Sequence, residues 1–250
     1  MNQPCETGDR SASGAWWICG LLFLATVLNY LDLQVVALTA ERIMADFRLN
    51  KEDFGRIIAA FRYSYAAFQL GGGWIVDLLG AKAIYPAAVG LWSFAGILTS
   101  FAVSMRMLVA CRLLLGTGEA FNWPCALSVT DRLIRLQDRA LANGIFNSGT
   151  AAGSMLAPVI VTILTVRFGW RSSFLVTGSL GLVWIGLWLQ FTHGSAELSR
   201  QPVPLRPILL AYWAILRKRA FWLLAVSAII VNSASYFLAD WIPDSAVFEN

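Results

Sequence analysis

Apolar runs of about twenty residues, divided by short polar turns, govern what this chain can become. A helix of about 20 residues crosses the hydrocarbon of a bilayer, and helices or closed barrels alone satisfy their backbone polar groups there. By that ruler the spans fall at 16–40, 54–76, 83–103, 107–129, 140–166, 172–192 and 220–242. The expected fold is all-α and integral to the membrane. Composition agrees, since only 14% of residues are charged against roughly a quarter in a soluble domain. Mean hydropathy is +0.63. The first span is too long, and too interrupted by Asn29 and Asp32, for a cleavable signal peptide.

Six spans follow one another closely and the last stands apart, so we expect a short N-terminal segment over 1–15, a six-span unit over 16–192, a linker over 193–219 and a seventh span with its tail over 220–250. The linker reads HGSAELSRQPVPLRPILLAYWAILRKR, with an amphipathic stretch suited to the membrane interface. It carries Arg200, Arg206, Arg217, Lys218 and Arg219, while the loop after the fourth span carries Arg132, Arg135 and Arg139. Positive charge collects on the cytoplasmic side, which sets the N-terminus and the linker inside. Helical spans rather than strands point to an inner, plasma-type membrane.

Several functions are disfavoured at once. No basic patch with interleaved aromatics is present, so a nucleic-acid partner is not expected. Cys111 and Cys125 share one helix about 21 Å apart, too far for a disulfide. No CxxC occurs and the one histidine, His193, lies in a loop, so neither a metal nor a cofactor is expected. An enzyme is not expected either, because no GxSxG elbow, His cluster or pair of catalytic aspartates lies within the spans.

The polar residues at membrane depth carry the functional signal. Arg112 and Glu119 lie seven residues apart in CRLLLGTGEAFNWPC, close to two helical turns, so both point the same way. Charges at depth cost several kcal/mol each and usually face a bundle interior or wet cavity. The pair serves either ions and substrate or simply helix cohesion. Asp32 has no Lys or Arg within a turn, and an unpaired carboxyl in apolar surroundings can take up and release a proton. Arg62, Tyr65 and Gln69 share a face of the second span, where a guanidinium fork and hydroxyl or amide donors suit an anion bearing hydroxyls. Arg62 alternatively snorkels to the interface. Asn147, Ser148 and Thr150 sit beside Gly149 and Gly153, a GxxxG face for close helix packing, with a looser version at Gly116 and Ala120. Pro124 and Pro158 mark expected kinks.

The segment GGGWIVDLLGAK, from Gly71 to Lys82, resembles the loop signature of the major facilitator superfamily. NYLDLQVVAL, CRLLLGTGEAFNWP, RALANGIFNSGTAAG and FGWRSSF, in that order, resemble the anion:cation symporters within it, and most of all the hexuronate and sugar-acid transporters. The likeness runs over about 15–243. It implies a six-helix N-terminal bundle of that superfamily, then a linker and a seventh transmembrane helix. It also implies proton-coupled symport of an organic anion by alternating access, with a small organic anion, protons and the lipid bilayer as partners.

By position, Asp32 and Glu119 match the family's protonatable carboxyls and Arg112 its anion-binding arginine. Tyr30, Tyr65 and Thr150 match the cavity lining, and Gly73, Asp77, Gly80 and Lys82 match the gate signature. Two positions depart: Leu33 and Leu78 stand where the family usually has arginine. Arg62 is expected to supply the cation absent at 33. The family also has a second six-span half, whereas here DSAVFEN follows the seventh span, so the expectation is an incomplete carrier lacking its C-terminal half. A truncated, non-transporting remnant or membrane scaffold is the alternative.

Overall fold

The computed structural model describes residues 7–195, 198 and 213–231, with side chains from residue 14 onward. Among the described residues every regular element is helical: α1 (Thr7–Leu38), α2 (Ala40–Phe47), α3 (Lys51–Leu79), α4 (Ala81–Ser100), α5 (Met105–Glu119), α6 (Asn122–Leu133), α7 (Arg139–Phe168) and α8 (Trp170–Thr192). Four helical stretches are long and apolar enough to cross a membrane: Gly14–Leu38, Ala81–Ser100, Arg139–Phe168 and Trp170–Thr192. α3 has the length but carries Lys51, Glu52, Asp53, Arg56, Arg62 and Asp77. α5 and α6 are each short of a full crossing and together make one.

The interruption between α5 and α6 has a local cause. Pro124 lacks the N–H that would bond back to Ala120, so the ladder loosens to Phe121 N donating to Gly118 O at 3.2 Å before Cys125 N resumes on Phe121 O. Pro158 and Pro86, by contrast, are absorbed inside continuous α7 and α4. The amphipathic α2, with only Ile43 buried, was not foreseen between the first two expected spans. It closes at Arg48, a non-glycine residue at φ 52°, with Leu49 N donating to Met44 O at 2.9 Å. The turns after α3 and α7 need glycine, at Gly80 (φ 86°) and Gly169 (φ 84°).

Small residues fix which helices touch. A Cβ at Gly149 would lie 2.7 Å from Phe23 O, and one at Gly153 would lie 2.7 Å from Val27 O, so the expected GxxxG face seats α7 on α1. Gly116 does the same for α5 against Ser64 and Phe61 of α3. Gly178 and Gly181 bring α8 against Ser93 of α4, a contact the sequence reading left out.

The two ends of α4 are tied differently. At the end nearer α3, Tyr85, Trp184 and Trp188 stack at 4.9–5.1 Å. Each polar tip is bonded, Tyr85 to Asn122 Oδ1 at 2.7 Å, Trp184 to Leu21 O at 2.8 Å and Trp188 to Lys82 O at 3.2 Å. At the far end, Asp46 of α2 accepts from Trp170 Nε1 at 2.7 Å and Arg171 at 3.0 Å. The Trp170 bond, reinforced by Arg171, holds the Asp46 carboxyl below its ordinary value against a smaller opposing effect of burial.

Residues 1–201 form one compact unit and 202–250 a second. In the second, the helix Arg219–Val231 is apolar. The rest of the expected seventh span and most of the linker, including its amphipathic stretch, lie outside the described residues.

Candidate functional site

α1 brings Asp32, and α5 brings Arg112 and Glu119, into the interior of the first unit, where they are 5%, 2% and 1% exposed. The seven-residue spacing does this work on α5: two turns apart, both side chains take the face turned from lipid. The three charges act on one another, Arg112 with Glu119 and with Asp32, and the two carboxyls with each other. Among the described residues no ion pair within contact distance joins them; the recorded pairs lie at the helix ends, as between Arg139 and Asp131. The Arg112 guanidinium rests over the Phe174 ring of α8 at 5.2 Å, a contact worth about 0.5–2 kcal/mol.

Uncharged groups complete the cluster. The Thr177 side chain acts on Asp32, and the Asn29 side chain acts on Glu119. These approaches are near enough to interact, yet Thr177 Oγ1, Asn29 Nδ2 and Glu119 Oε1 are all buried without a closed hydrogen bond. Desolvated polar atoms left open cost about 1–3 kcal/mol each. Structures hold such atoms where they bind something or change protonation.

The other residues singled out by sequence are less enclosed. Tyr30, Tyr65, Gln69 and Thr150 are half-buried, while Arg62 and Asn147 are exposed. Tyr30 lies on the α1–α7 seam, where a Cβ at Gly153 would meet its Cβ at 2.8 Å. On α3, Tyr65 packs on Phe61 at 5.7 Å, and Gln69 Oε1 is buried without a partner. Arg112, by contrast, is enclosed, with its guanidinium over the Phe174 ring.

The gate signature occupies the α3–α4 turn. Gly80 makes the turn, and Lys82 Nζ donates to His193 O at 3.0 Å and Ser195 O at 3.5 Å, neutralising the carbonyl end of α8. Asp77 feels the positive charge of Arg132 and the negative charge of Asp131 on α6. Gly73 is half-buried on α3, and its neighbour Gly72 is the residue against Pro124. Among the described residues no group of His, Cys, Asp and Glu is placed to hold a metal.

Sequence reasoning missed Phe174 and Thr177. Their signal was the stripe Ser173, Thr177 and Gly181 at helical spacing, all buried.

Known proteins resemble this chain along nearly its whole length. The model of the Major Facilitator Superfamily matches residues 22–248. A galacturonate transporter of Dickeya chrysanthemi is 30% identical over 243 residues, 91% of this chain and 70% of its own length. A hexuronate transporter of Escherichia coli K12 is 28% identical, with 91% of this chain and 56% of its own length covered. A probable galactarate/D-glucarate transporter of Bacillus subtilis is 30% identical over 190 residues, 42% of its length. The chain thus spans about half the length of most of these relatives. The crystal structure of a bacterial homolog of the human lysosomal transporter Spinster, inward-facing and unoccupied, superposes with a TM-score of 0.73. It is 22% identical, over 90% of this chain and 54% of that one, and so speaks to the fold alone.

Proposed function

The chain belongs to the Major Facilitator Superfamily, and from that membership we propose that it carries a hexuronate or related sugar acid across a membrane together with protons. It is a multi-pass membrane protein of a family of secondary transporters. The observation that carries the finer reading is the enclosed trio Asp32, Arg112 and Glu119. With all three ionised, the trio holds one uncompensated negative charge; one added proton makes it neutral. A buried net charge costs several kcal/mol, so gain and loss of that proton can drive a change between two arrangements of the bundle. That is the physical content of coupling.

Within this reading the anion meets the less enclosed residues first. Arg62 offers its fork to the carboxylate, and Tyr30, Tyr65, Gln69, Asn147 and Thr150 offer hydroxyl and amide groups to the sugar. Arg112 balances the two carboxyls in the closed arrangement and reaches the anion only when the cluster opens. Gly73, Asp77, Gly80 and Lys82 form a conformational lock at the α3–α4 turn, with Lys82 holding the end of α8. A second bundle facing this one closes the pathway, which fits the greater length of the hexuronate relative. We assign the protein to the inner membrane with the N-terminus inside, supported by the loop charges.

Uptake of labelled galacturonate or glucuronate into proteoliposomes tests this. An inward proton gradient drives accumulation in the parent, and Glu119→Gln abolishes it. An inserted, folded parent that accumulates neither acid contradicts the proposal.

A further inference from the structure

Among the described residues, every buried threonine but one bonds its hydroxyl to a protein partner. Thr26, Thr39, Thr99, Thr130 and Thr192 each turn the hydroxyl onto the carbonyl four residues back, at 2.6–3.0 Å. Buried Thr165 instead bonds Ser173 Oγ at 2.9 Å. Thr177 is just as buried, 1% exposed, yet its hydroxyl makes neither kind of bond. A hydroxyl in apolar surroundings ordinarily takes the nearby carbonyl, because leaving it open costs about 1–3 kcal/mol. At Thr177 the hydroxyl is instead beside the Asp32 carboxyl.

The position of that hydroxyl is fixed from both sides. One residue later, Gly178 lets α8 approach α4 so closely that a Cβ there would lie 2.8 Å from Ser93 O. Three residues earlier, Phe174 lies beneath the Arg112 guanidinium. α8 therefore addresses the trio through two successive contacts, a ring on the cation and a hydroxyl on the carboxyl. The charges that act on Asp32 are Arg112 and Glu119, both from α5. α7, packed along α1, has no titratable residue between Arg139 and Arg167, α8 contributes only Arg171 in its first turn, and α6 contributes Cys125, Asp131 and Arg132. α4 contributes Lys82 and Tyr85, both in its first turns.

We propose that Thr177 is the positioning residue for Asp32: its hydroxyl, held free of the α8 backbone, closes on the ionised carboxyl and opens again when the carboxyl is protonated. The hydroxyl is the donor and a carboxylate oxygen the acceptor. The bond to the ionised form is the stronger, since one partner is charged. Thr177 thereby sets the pH at which Asp32 takes its proton. This inference rests on the reading of Asp32 as a coupling carboxyl.

Infrared titration of the protonated carboxyl C=O band tests it in the full chain reconstituted in lipid, with the Asp32 band identified by its loss in Asp32→Asn. Thr177→Val, which keeps the shape and removes the hydroxyl, moves the Asp32 midpoint up by about one pH unit. Thr177→Ser keeps the parent midpoint. Thr177→Ala serves as the second hydroxyl-free variant should valine fail to fold, with the same upward shift. A folded Thr177→Val or Thr177→Ala that titrates with the parent overturns the proposal. The band reads Asp32 whether or not the parent accumulates anion, so failed uptake overturns the transport reading and an unmoved midpoint overturns this one.

Discussion

Asp32, Arg112 and Glu119 reach the same interior from two helices, and each was visible in the sequence for the same reason. A charge inside an apolar run costs so much that its presence alone marks a site. Phe174 and Thr177 touch that cluster and left no such mark, because a ring or a hydroxyl is commonplace on a membrane helix and costs little wherever it points. Arg62 gave an ambiguous mark, since an arginine two turns into a span either snorkels or binds. It is exposed on the side of α3 that carries Tyr65 and Gln69. We expect Arg62→Ala to weaken galacturonate binding by about tenfold to a hundredfold, the loss of one charge-assisted pair. Calorimetric titration in detergent checks it, and binding as tight as the parent's contradicts the assignment.

At the scale of the element, lipid thickness made most of the helices legible. The expected spans at 83–103, 140–166 and 172–192 meet Ala81–Ser100, Arg139–Phe168 and Trp170–Thr192 within a few residues. What escaped had only a local signal. α2 is eight residues long and amphipathic, too short for the ruler that found the others. Pro124 and Pro158 looked alike in sequence, yet one interrupts its helix and the other does not. The ladder loosens just ahead of Pro124, in the first turn of α6, whereas Pro158 is carried within continuous α7. The GxxxG face of α7 was legible because glycine is the one residue that permits backbone contact. Gly153→Val places its branch against Val27 O and Tyr30 Cβ, where even a Cβ would lie 2.7 and 2.8 Å away. We expect a loss of about 1–3 kcal/mol, read as a lower unfolding midpoint in detergent. An unchanged midpoint rules out the close α1–α7 seam.

For the whole molecule, the described bundle holds one enclosed charge cluster and more open polar residues on α1, α3 and α7, in a fold shared with a transporter about twice as long. The ordered motifs made the family legible, and the model of that family matches 22–248. Which residues enclose the cluster was not legible, because burial is a property of six helices packed together rather than of any span. In the proposed function, anion and proton move together because the trio changes charge. A pH electrode in a weakly buffered suspension of vesicles bearing the protein reads this directly when galacturonate is added without an imposed gradient. The medium is expected to turn alkaline in step with uptake, and not to do so with Glu119→Gln; uptake with no accompanying proton movement contradicts coupled transport.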